Sequence, residues 1–305
     1  MFIGGIDIGG TKISAGVVSS RGSIVDFCEF RTSDLHDPYE AVAQIGDYFN
    51  TIQQRMEEPL YGIGIGCTGP VDPFNGRIGS VEFLQGWAGF NIVSEFKKKV
   101  RTPVYLENDA DAAAIGEKLF GNGHDSDHFI NVTVGTGIGV GIIFNKQLFR
   151  GVDGTHPEIG HHIIDPSGPS CSCGARGCWE SLAGGRATLI AFNNKYGMEF
   201  TSATELYEAA RNNDKNALEA VRNEAFYLGI GLSNIITIFA PDIVSISGGI
   251  LRCQDLIWDP ILQLVRQNCG FTDLRKIKII PSALGQHTGL IGAAGICLFL
   301  EVSHD

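Results

Sequence analysis

The chain contains two segments in which a short apolar strand, a glycine-rich turn and a second strand follow one another. The first segment runs from Phe2 to Val18, with its turn at residues 7–12. The second begins at Phe129 and has its turn at residues 135–139. Glycine supplies the backbone freedom that a tight turn between adjacent antiparallel strands needs. Two such segments in one chain predict two domains of related fold.

Between and after these segments, buried strands alternate with helical patterns, which is typical of an α/β sheet with parallel members. Ser202 and Glu205 form the pattern of a capping box at the start of a helix that reaches about Arg211. The other expected helices lie at residues 38–56, 92–99, 109–120, 216–239, 255–268 and 289–300, and the other expected strands at residues 23–30, 61–66, 103–106, 243–247 and 276–280. The polar stretch 121–127 is the best candidate for a domain boundary. We therefore expect a small N-terminal α/β domain at 1–120, joined by a C-terminal helix at 289–305, and a larger α/β domain at 121–288.

Composition narrows the classes of protein to which the chain can belong. The chain has 305 residues, of which 44% are hydrophobic, and a formal net charge of -11. Nucleic acid and anionic membrane surfaces are bound mainly through basic patches, so this charge argues against both partners. Five of the cysteines are scattered singly, which favours a reducing cytoplasm over a disulfide framework. The N-terminus reads as a strand, not a secretory signal, and no apolar stretch is long enough to span a bilayer.

The two glycine turns are candidate phosphate sites, because exposed backbone N–H groups can bind phosphate oxygens. The residues concerned are Gly9, Gly10, Thr11, Lys12, Gly135, Thr136 and Gly137. The first turn is not a Walker phosphate loop, because Gly10-Thr11-Lys12 has the wrong residue order and joins two strands. The GxGxxG pattern at 64–69 is followed by prolines where a dinucleotide-binding fold needs a helix. For either turn alone an ordinary hairpin is the stronger interpretation. Two turns of matching shape favour phosphate binding.

Three acidic or amide side chains lie at strand ends, where ligands of α/β sheets collect. Asp7 precedes the first turn, and a buried carboxylate there calls for a cation, such as Mg²⁺ on a nucleotide. Asn108 and Asp109 follow the strand at 103–106. Asp109 could accept the proton of an attacking hydroxyl, or it could be the N-cap of the next helix. From the residues alone, the N-cap is the favoured interpretation.

Cys171, Cys173 and Cys178 lie within a glycine-rich segment, with histidines upstream. Three thiolates and one imidazole make a closed tetrahedral zinc site, which is structural because it leaves no position for a substrate. The alternative is three thiols without metal, which this density of cysteines disfavours. The fourth ligand could be His156, His161 or His162, and in an extended strand only one of the last two could reach the metal. Such a site would fix Glu158 and Glu180 for use by another ligand.

Together these motifs resemble those of a sugar kinase of the ROK (repressor, open reading frame, kinase) family. The resemblance rests on motifs spread over nearly the whole chain: DIGGTK at 7–12, GPVD at 69–72, ENDA at 107–110, GTGIG at 135–139, PEIGH at 157–161, CSCGARGCWE at 171–180 and SGG at 247–249. It implies an actin-like, hexokinase-like ATPase fold of duplicated ribonuclease H-like domains, in which ATP and a hexose meet in an interdomain cleft. It also implies a homodimer.

The resemblance assigns roles by position. Asp109 becomes the catalytic base, which overturns the preference for an N-cap. The sugar-binding residues become Asn108, Asp109, Glu158, His161 and Glu180. The resemblance implies that Asp7 and the two turns bind ATP and its Mg²⁺, and that Gly248 and Gly249 contact the adenosine. The zinc ligands become His161, Cys171, Cys173 and Cys178.

We expect ATP-dependent phosphorylation of the primary hydroxyl of a hexose, glucose first, because Leu84 to Trp87 resembles a loop of glucokinase-like members. N-acetylmannosamine, N-acetylglucosamine and fructose are alternative substrates, and a non-catalytic sugar sensor is the alternative of another class. Asp111 stands where the family commonly has asparagine and Pro157 where it has glycine, and both departures bear on substrate identity. No helix-turn-helix segment precedes Asp7, which favours an enzyme over a repressor.

Overall fold

The computed structural model describes residues 1–81 and 84–302. Its strands in chain order are β1 (Phe2–Ile8), β2 (Lys12–Ser19), β3 (Ile24–Arg31), β4 (Ile63–Cys67), β5 (Val71–Asp72), β6 (Arg77–Ile78), β7 (Val104–Asn108), β8 (Phe129–Val134), β9 (Ile138–Phe144), β10 (Gln147–Leu148), β11 (Ile243–Ser247) and β12 (Lys278–Pro281). Its helices in chain order are α1 (Pro38–Met56), α2 (Ile92–Lys99), α3 (Asp109–Phe120), α4 (Trp179–Ala183), α5 (Gly185–Tyr196), α6 (Ala203–Arg211), α7 (Lys215–Phe239), α8 (Gln254–Asn268) and α9 (Thr288–Val302). Among these described helices, none is long and apolar enough to cross a membrane.

The first sheet has the strand order β3-β2-β1-β4-β7. Strand β2 runs antiparallel to β1 and β3, whereas β4 runs parallel to β1 and β7. The predicted antiparallel strands around the first glycine turn and the predicted parallel strands are therefore confirmed. Every residue of β4 is buried, as expected for a central parallel strand covered on both faces.

The second sheet has the strand order β10-β9-β8-β11-β12. Strand β9 pairs antiparallel with β10, and β11 pairs parallel with β12. Each sheet thus places three consecutive strands in reverse order and then adds two later strands beside the first of them. This repeat confirms the related folds that the two glycine turns predicted.

Helix α9 fixes the position of α3, which carries Asp109 at its start. It is made largely of small and apolar residues, and it packs against both α3 and β1. A Cβ atom added at Gly292 would lie 2.1 Å from the carbonyl oxygen of Ala112, so the two helix backbones are in close contact. Small residues are needed at this contact because any larger side chain would separate the helices.

The described chain divides into two compact units. Unit 1 comprises residues 1–131, 141–157 and 282–305, and unit 2 comprises residues 132–140 and 158–281. Helix α9 belongs to unit 1, and residues 303–305 of the expected C-terminal helix lie outside the described residues. The domain limits drawn from the sequence, at 120 and 288, stay a prediction.

Helices α4 and α5 and the two-residue strands β5, β6 and β10 were not predicted from the sequence, and β4 begins two residues later than predicted. Helix α5 was missed because it follows glycines and has no capping side chain. Its first N–H groups, at Gly185 and Arg186, instead donate to the carbonyls of Gly135 and Thr136 in unit 2. Strand β12 begins two residues later than predicted, because a 3-10 turn occupies Leu274–Lys276.

Candidate active site

Asn108 and Asp109 lie at the junction of β7 and α3 in unit 1. Asn108 is the N-cap of α3: its backbone is extended, and its Oδ1 accepts the N–H of Ala110 at 2.8 Å and that of Asp111 at 3.4 Å. The N-cap interpretation of Asp109 is therefore wrong, because Asp109 is already the first helical residue. The cap is one residue earlier, and Asp109 is partly exposed.

Asp7 and Asp109 interact electrostatically within unit 1. Burial and the charge of Asp109 raise the pKa of Asp7 to about 7, and Lys12 opposes both effects. Gly289, in the first turn of α9, leaves room for this carboxylate, since a Cβ atom there would lie 2.3 Å from Asp7 Oδ2. Two neighbouring carboxylates of this kind fit a divalent cation, and oxygen atoms are the ligands that Mg²⁺ prefers.

The first glycine turn is held at its two ends and exposed in the middle. The Gly9 N–H donates to the Lys12 carbonyl at 3.0 Å, and the Thr32 hydroxyl donates to the Gly9 carbonyl at 2.8 Å. Gly10 and Thr11 are exposed, as a phosphate-binding backbone requires. The Lys12 ammonium pairs with Glu29, and this bond lowers the pKa of Glu29.

The second glycine turn, in unit 2, is joined to Glu180. Gly135 donates its N–H to the carbonyl of Gly137 at 3.0 Å, and Ile138 donates its N–H to Glu180 Oε2 at 2.9 Å. A Cβ atom at Gly137 would lie 2.1 Å from the same carboxylate oxygen, so only glycine leaves Glu180 in this position. The carbonyls of Gly135 and Thr136 accept from α5, which orients the turn from its other side.

Gly248 and Gly249 follow β11 in unit 2. Gly248 has a φ of 95°, and a Cβ atom there would lie 2.4 Å from the carbonyl oxygen of Val134 at the end of β8. Apart from its chain neighbours, no heavy atom of the described residues lies within 4 Å of a Cβ built at Gly249. The backbone at Gly248 therefore lies against that of Val134, whereas the next position, Gly249, has open space beside it.

Four side chains of unit 2 form a candidate metal centre. One ligand atom from each of His161, Cys171, Cys173 and Cys178 lies within 4.8 Å of all the others. Cys171 Sγ is 3.3 Å from His161 Nδ1, and Cys173 Sγ is 3.5 Å from Cys178 Sγ. Tetrahedral zinc with Zn–S bonds of ~2.3 Å separates its ligand atoms by roughly 3.5–3.8 Å, so the donor set fits that ion.

The other histidines near this loop have different partners. His162 Nδ1 is 2.6 Å from the Ile159 carbonyl, and its Nε2 is 3.2 Å from the Asn234 amide nitrogen. His156 belongs to unit 1, where its Nδ1 is 2.8 Å from Asp111 Oδ2. His161 lies in a 3-10 turn, not in the extended strand considered from the sequence, and its Nδ1 faces the cysteines.

His161 also connects the candidate metal centre to Glu180. Its Nε2 is 3.9 Å from Glu180 Oε1, while Glu180 Oε2 accepts the Ile138 N–H. A continuous set of contacts therefore runs from Cys171 through His161 and Glu180 to the second glycine turn. Glu158, three residues before His161, is exposed.

Comparison with known proteins decides the family. A model described as the ROK family matches residues 3–299. The chain belongs to the ROK family. A glucokinase from Thermotoga maritima is 32% identical over 305 residues, which cover 96% of each protein. A xylose repressor from Bacillus subtilis is 33% identical over 303 residues, which cover 98% of this chain and 78% of the repressor.

A solved structure extends the comparison within the ROK family. It is a ROK family glucokinase from Streptomyces griseus in complex with glucose and AMPPNP, 32% identical, with a TM-score of 0.81 over 97% of this chain and 99% of the other. The chain accordingly has the actin-like, hexokinase-like fold that its motifs predicted.

Sequence reasoning missed several residues around the ROK motifs. Gly289 lies against Asp7, and Arg150 forms an ion pair with Glu107, next to Asn108. No local pattern marks Gly289 or Arg150, because each is far along the chain from the residue that it contacts. Asp111 was singled out as a departure from the family pattern, and its partner proves to be His156.

Proposed function

We propose that the chain is a sugar kinase that transfers the γ-phosphoryl group of ATP to the primary hydroxyl of a hexose, with glucose as the first candidate. The observation that carries this proposal is the position of Asp109: it starts a helix whose N-cap is another residue, and it lies close enough to Asp7 for their charges to interact. The similarity to glucokinases that cover nearly the whole chain supports the same conclusion.

The proposed chemistry divides between residues that bind phosphate and a residue that moves a proton. Asp7 would hold Mg²⁺, whose charge offsets that of the phosphates. The exposed backbone of the two glycine turns would bind phosphate oxygens, and the open position at Gly249 would accept the adenosine. Asp109 would accept the proton of the sugar hydroxyl as it attacks.

The remaining sugar contacts are assigned to Asn108, Glu158, His161 and Glu180. His161 and Glu180 face each other, so both can reach the same small ligand. Zinc on His161, Cys171, Cys173 and Cys178 would have a structural role: it would fix the His161 ring through Nδ1 and leave Nε2 for a sugar hydroxyl. We also expect a homodimer.

The substrate and the class of activity have alternatives. N-acetylmannosamine, N-acetylglucosamine and fructose are the other candidate acceptors, and polyphosphate is another candidate donor. A non-catalytic sugar sensor is the second candidate function, because a xylose repressor is as similar to the chain as a glucokinase is.

A panel of sugars separates these functions. Purified protein with Mg-ATP is given each hexose in a coupled assay of ADP release. Xylose serves as the matched control because its pyranose form has no primary hydroxyl. The proposal predicts turnover on at least one hexose, fastest on glucose, and none on xylose. Binding of a sugar without ADP release on any hexose would establish the sensor and overturn the kinase.

A further inference from the structure

Two buried contacts, each between an acidic and a basic side chain, flank the Asn108 and Asp109 positions in unit 1. Glu107 Oε2 pairs with Arg150 Nη2, and the two side chains are 1% and 15% exposed. Asp111 Oδ2 is 2.8 Å from His156 Nδ1, and these side chains are 1% and 9% exposed. We call these four residues the charged cluster.

The charged cluster joins one short segment to both sides of the same junction. Its two acids lie immediately before Asn108 and two residues after Asp109, whereas its two bases both come from the segment at 150–156 that follows β10. That segment is itself closed by a bond from the Gly151 N–H to the Thr155 carbonyl at 2.8 Å. It therefore contacts the β7–α3 junction at two points, one on each side of the proposed base.

The segment at 150–156 also packs against the ring of Phe74. The Arg150 guanidinium lies over the ring of Phe74, 5.6 Å from its centroid, and a Cβ atom at Gly154 would lie 2.4 Å from that ring. Arg150 thus has the ring on one side and the Glu107 carboxylate as its partner, which limits the orientations open to its side chain.

A gain in folding stability does not explain why the four ionisable side chains of the charged cluster are buried. Removing two ions from water costs about as much as their attraction returns, and apolar replacements are often as stable. Burial and the nearby Asp111 raise the pKa of Glu107, and the Arg150 charge opposes them. What an ion pair adds over an apolar contact is a defined direction, and Glu107 Oε1 also accepts the Asn108 N–H at 3.3 Å.

We propose that the charged cluster holds the backbone of residues 107–111 in the one arrangement that aims Asp109 at the acceptor hydroxyl. This inference rests on the proposed function. Glu107, Asp111, Arg150 and His156 are then positioning residues, which act through Asn108 and Asp109 without touching the sugar. Their loss affects the transfer step more than the binding of ATP.

Arg150→Gln and His156→Asn test this role kinetically. Each is expected to lower kcat by up to about 10²-fold, the cost of misplacing a reacting group by ~1 Å, with the KM for ATP changed by less than about twofold. The double variant Glu107→Gln/Arg150→Gln removes both charges and keeps a hydrogen-bonding pair, so it should recover part of the lost kcat. The matched control is Lys195→Gln, which breaks an exposed ion pair with Glu219 in unit 2 and should leave kcat unchanged.

Hydrogen exchange tests the same role without any activity. In Arg150→Gln, the amides of Ala110 and Asp111, which the Asn108 side chain caps, should exchange at least about tenfold faster than in the native protein, while amides of β4 stay protected. Unchanged exchange and unchanged kcat in both single variants would overturn the inference, as would a fall in kcat that only follows the folded fraction. If the native protein phosphorylates no hexose, the proposed function fails, and the exchange result still decides whether the cluster holds the junction.

Discussion

At the scale of single residues, two glycines determine where two carboxylates can lie. Gly137 leaves room for Glu180, and Gly289 leaves room for Asp7. In both cases the atom that a Cβ would meet first is a carboxylate oxygen, not backbone. A methyl group at either position therefore moves a proposed functional group without preventing the chain from folding.

Gly289→Ala is the sharper of the two tests. Alanine favours the first turn of α9, so we expect no loss of thermal stability, whereas the new methyl group displaces the Asp7 carboxylate. The kcat/KM for Mg-ATP should fall by at least about tenfold, short of the 10²–10³-fold cost of removing a stabilising group outright. Gly270→Ala, where no heavy atom of the described residues apart from its chain neighbours lies within 4 Å of an added Cβ atom, is the control and should keep the native value. Equal activity of the two variants would remove Asp7 from the nucleotide site.

The residue scale also shows where sequence reasoning is limited. Asn108 and Asp109 are adjacent and both are good N-caps, so the sequence alone does not decide which one caps α3. The choice depends on where β7 stops, and Asn108 is its last residue. Family resemblance moved Asp109 out of the cap role, and the backbone of Asn108 supplies the physical reason.

At the scale of elements, the loop at 158–184 connects a candidate metal centre to a turn that is proposed to bind phosphate. The contacts pass through His161 and Glu180. Helix α4, which carries Glu180, begins directly after Cys178. A metal bound to Cys178 would thus fix the start of the helix that carries the carboxylate.

Removal of the metal should therefore affect sugar binding. We expect protein purified without added zinc to contain about one equivalent of it, and Cys173→Ser to lose most of that metal. The variant should show a higher KM for the sugar and a lower Tm, because His161 and Glu180 lose their support. Cys28→Ser, in unit 1 and outside the candidate centre, is the control. Metal-free protein with native Tm and native sugar KM would rule out a structural zinc site.

Glu224 on α7 is buried and accepts a hydrogen bond from Tyr207 at 3.1 Å. Burial raises its pKa to about 8, although the Tyr207 hydroxyl lowers it in part. The native state then binds more protons than the unfolded state between pH 4.5 and about 8. Its contribution to stability is complete below that window and is lost as the pH rises through it.

Glu224→Gln removes this titration. The free energy of unfolding of the variant minus that of the native protein should increase by roughly 1 kcal/mol or more from pH 5 to pH 8, as measured by urea denaturation. The native protein loses this stability as the pH rises, and the variant does not. Glu219→Gln, exposed on the same helix, should follow the native protein to within about 0.5 kcal/mol at both pH values. A pH-independent difference for Glu224→Gln would contradict the raised pKa.

Elements with their own signals could be predicted from the sequence, and elements that depend on distant partners could not. Helix α1 carries Asp37 as N-cap, Pro38 in its first turn and a regular apolar face, and its bounds were predicted correctly. Helix α5 has no capping side chain, since the carbonyls of Gly135 and Thr136 accept its first N–H groups. The charged cluster was missed for the same reason, because residues 107–111 meet residues 150–156 only in the folded chain.

At the scale of the whole molecule, the strand order is repeated, and the relatives of the chain include both a glucokinase and a xylose repressor. The fold alone cannot separate catalysis from sensing, because a glucokinase and a xylose repressor match the chain equally well. The separation depends on whether Asp109 takes part in phosphoryl transfer. Asparagine variants of Asp109 and of the exposed Asp125 test whether Asp109 takes part.

The decisive measurement is the rate of glucose phosphorylation by the native protein, Asp109→Asn and Asp125→Asn, followed by phosphorus NMR with Mg-ATP. We expect a phosphomonoester on the primary hydroxyl and a kcat lowered by about 10²–10⁴-fold in Asp109→Asn with glucose still bound. Asp125→Asn, whose native side chain is 98% exposed, should keep the native rate. A native rate in Asp109→Asn would contradict the role of Asp109 as catalytic base, and glucose binding by the native protein without formation of a phosphomonoester would contradict kinase activity.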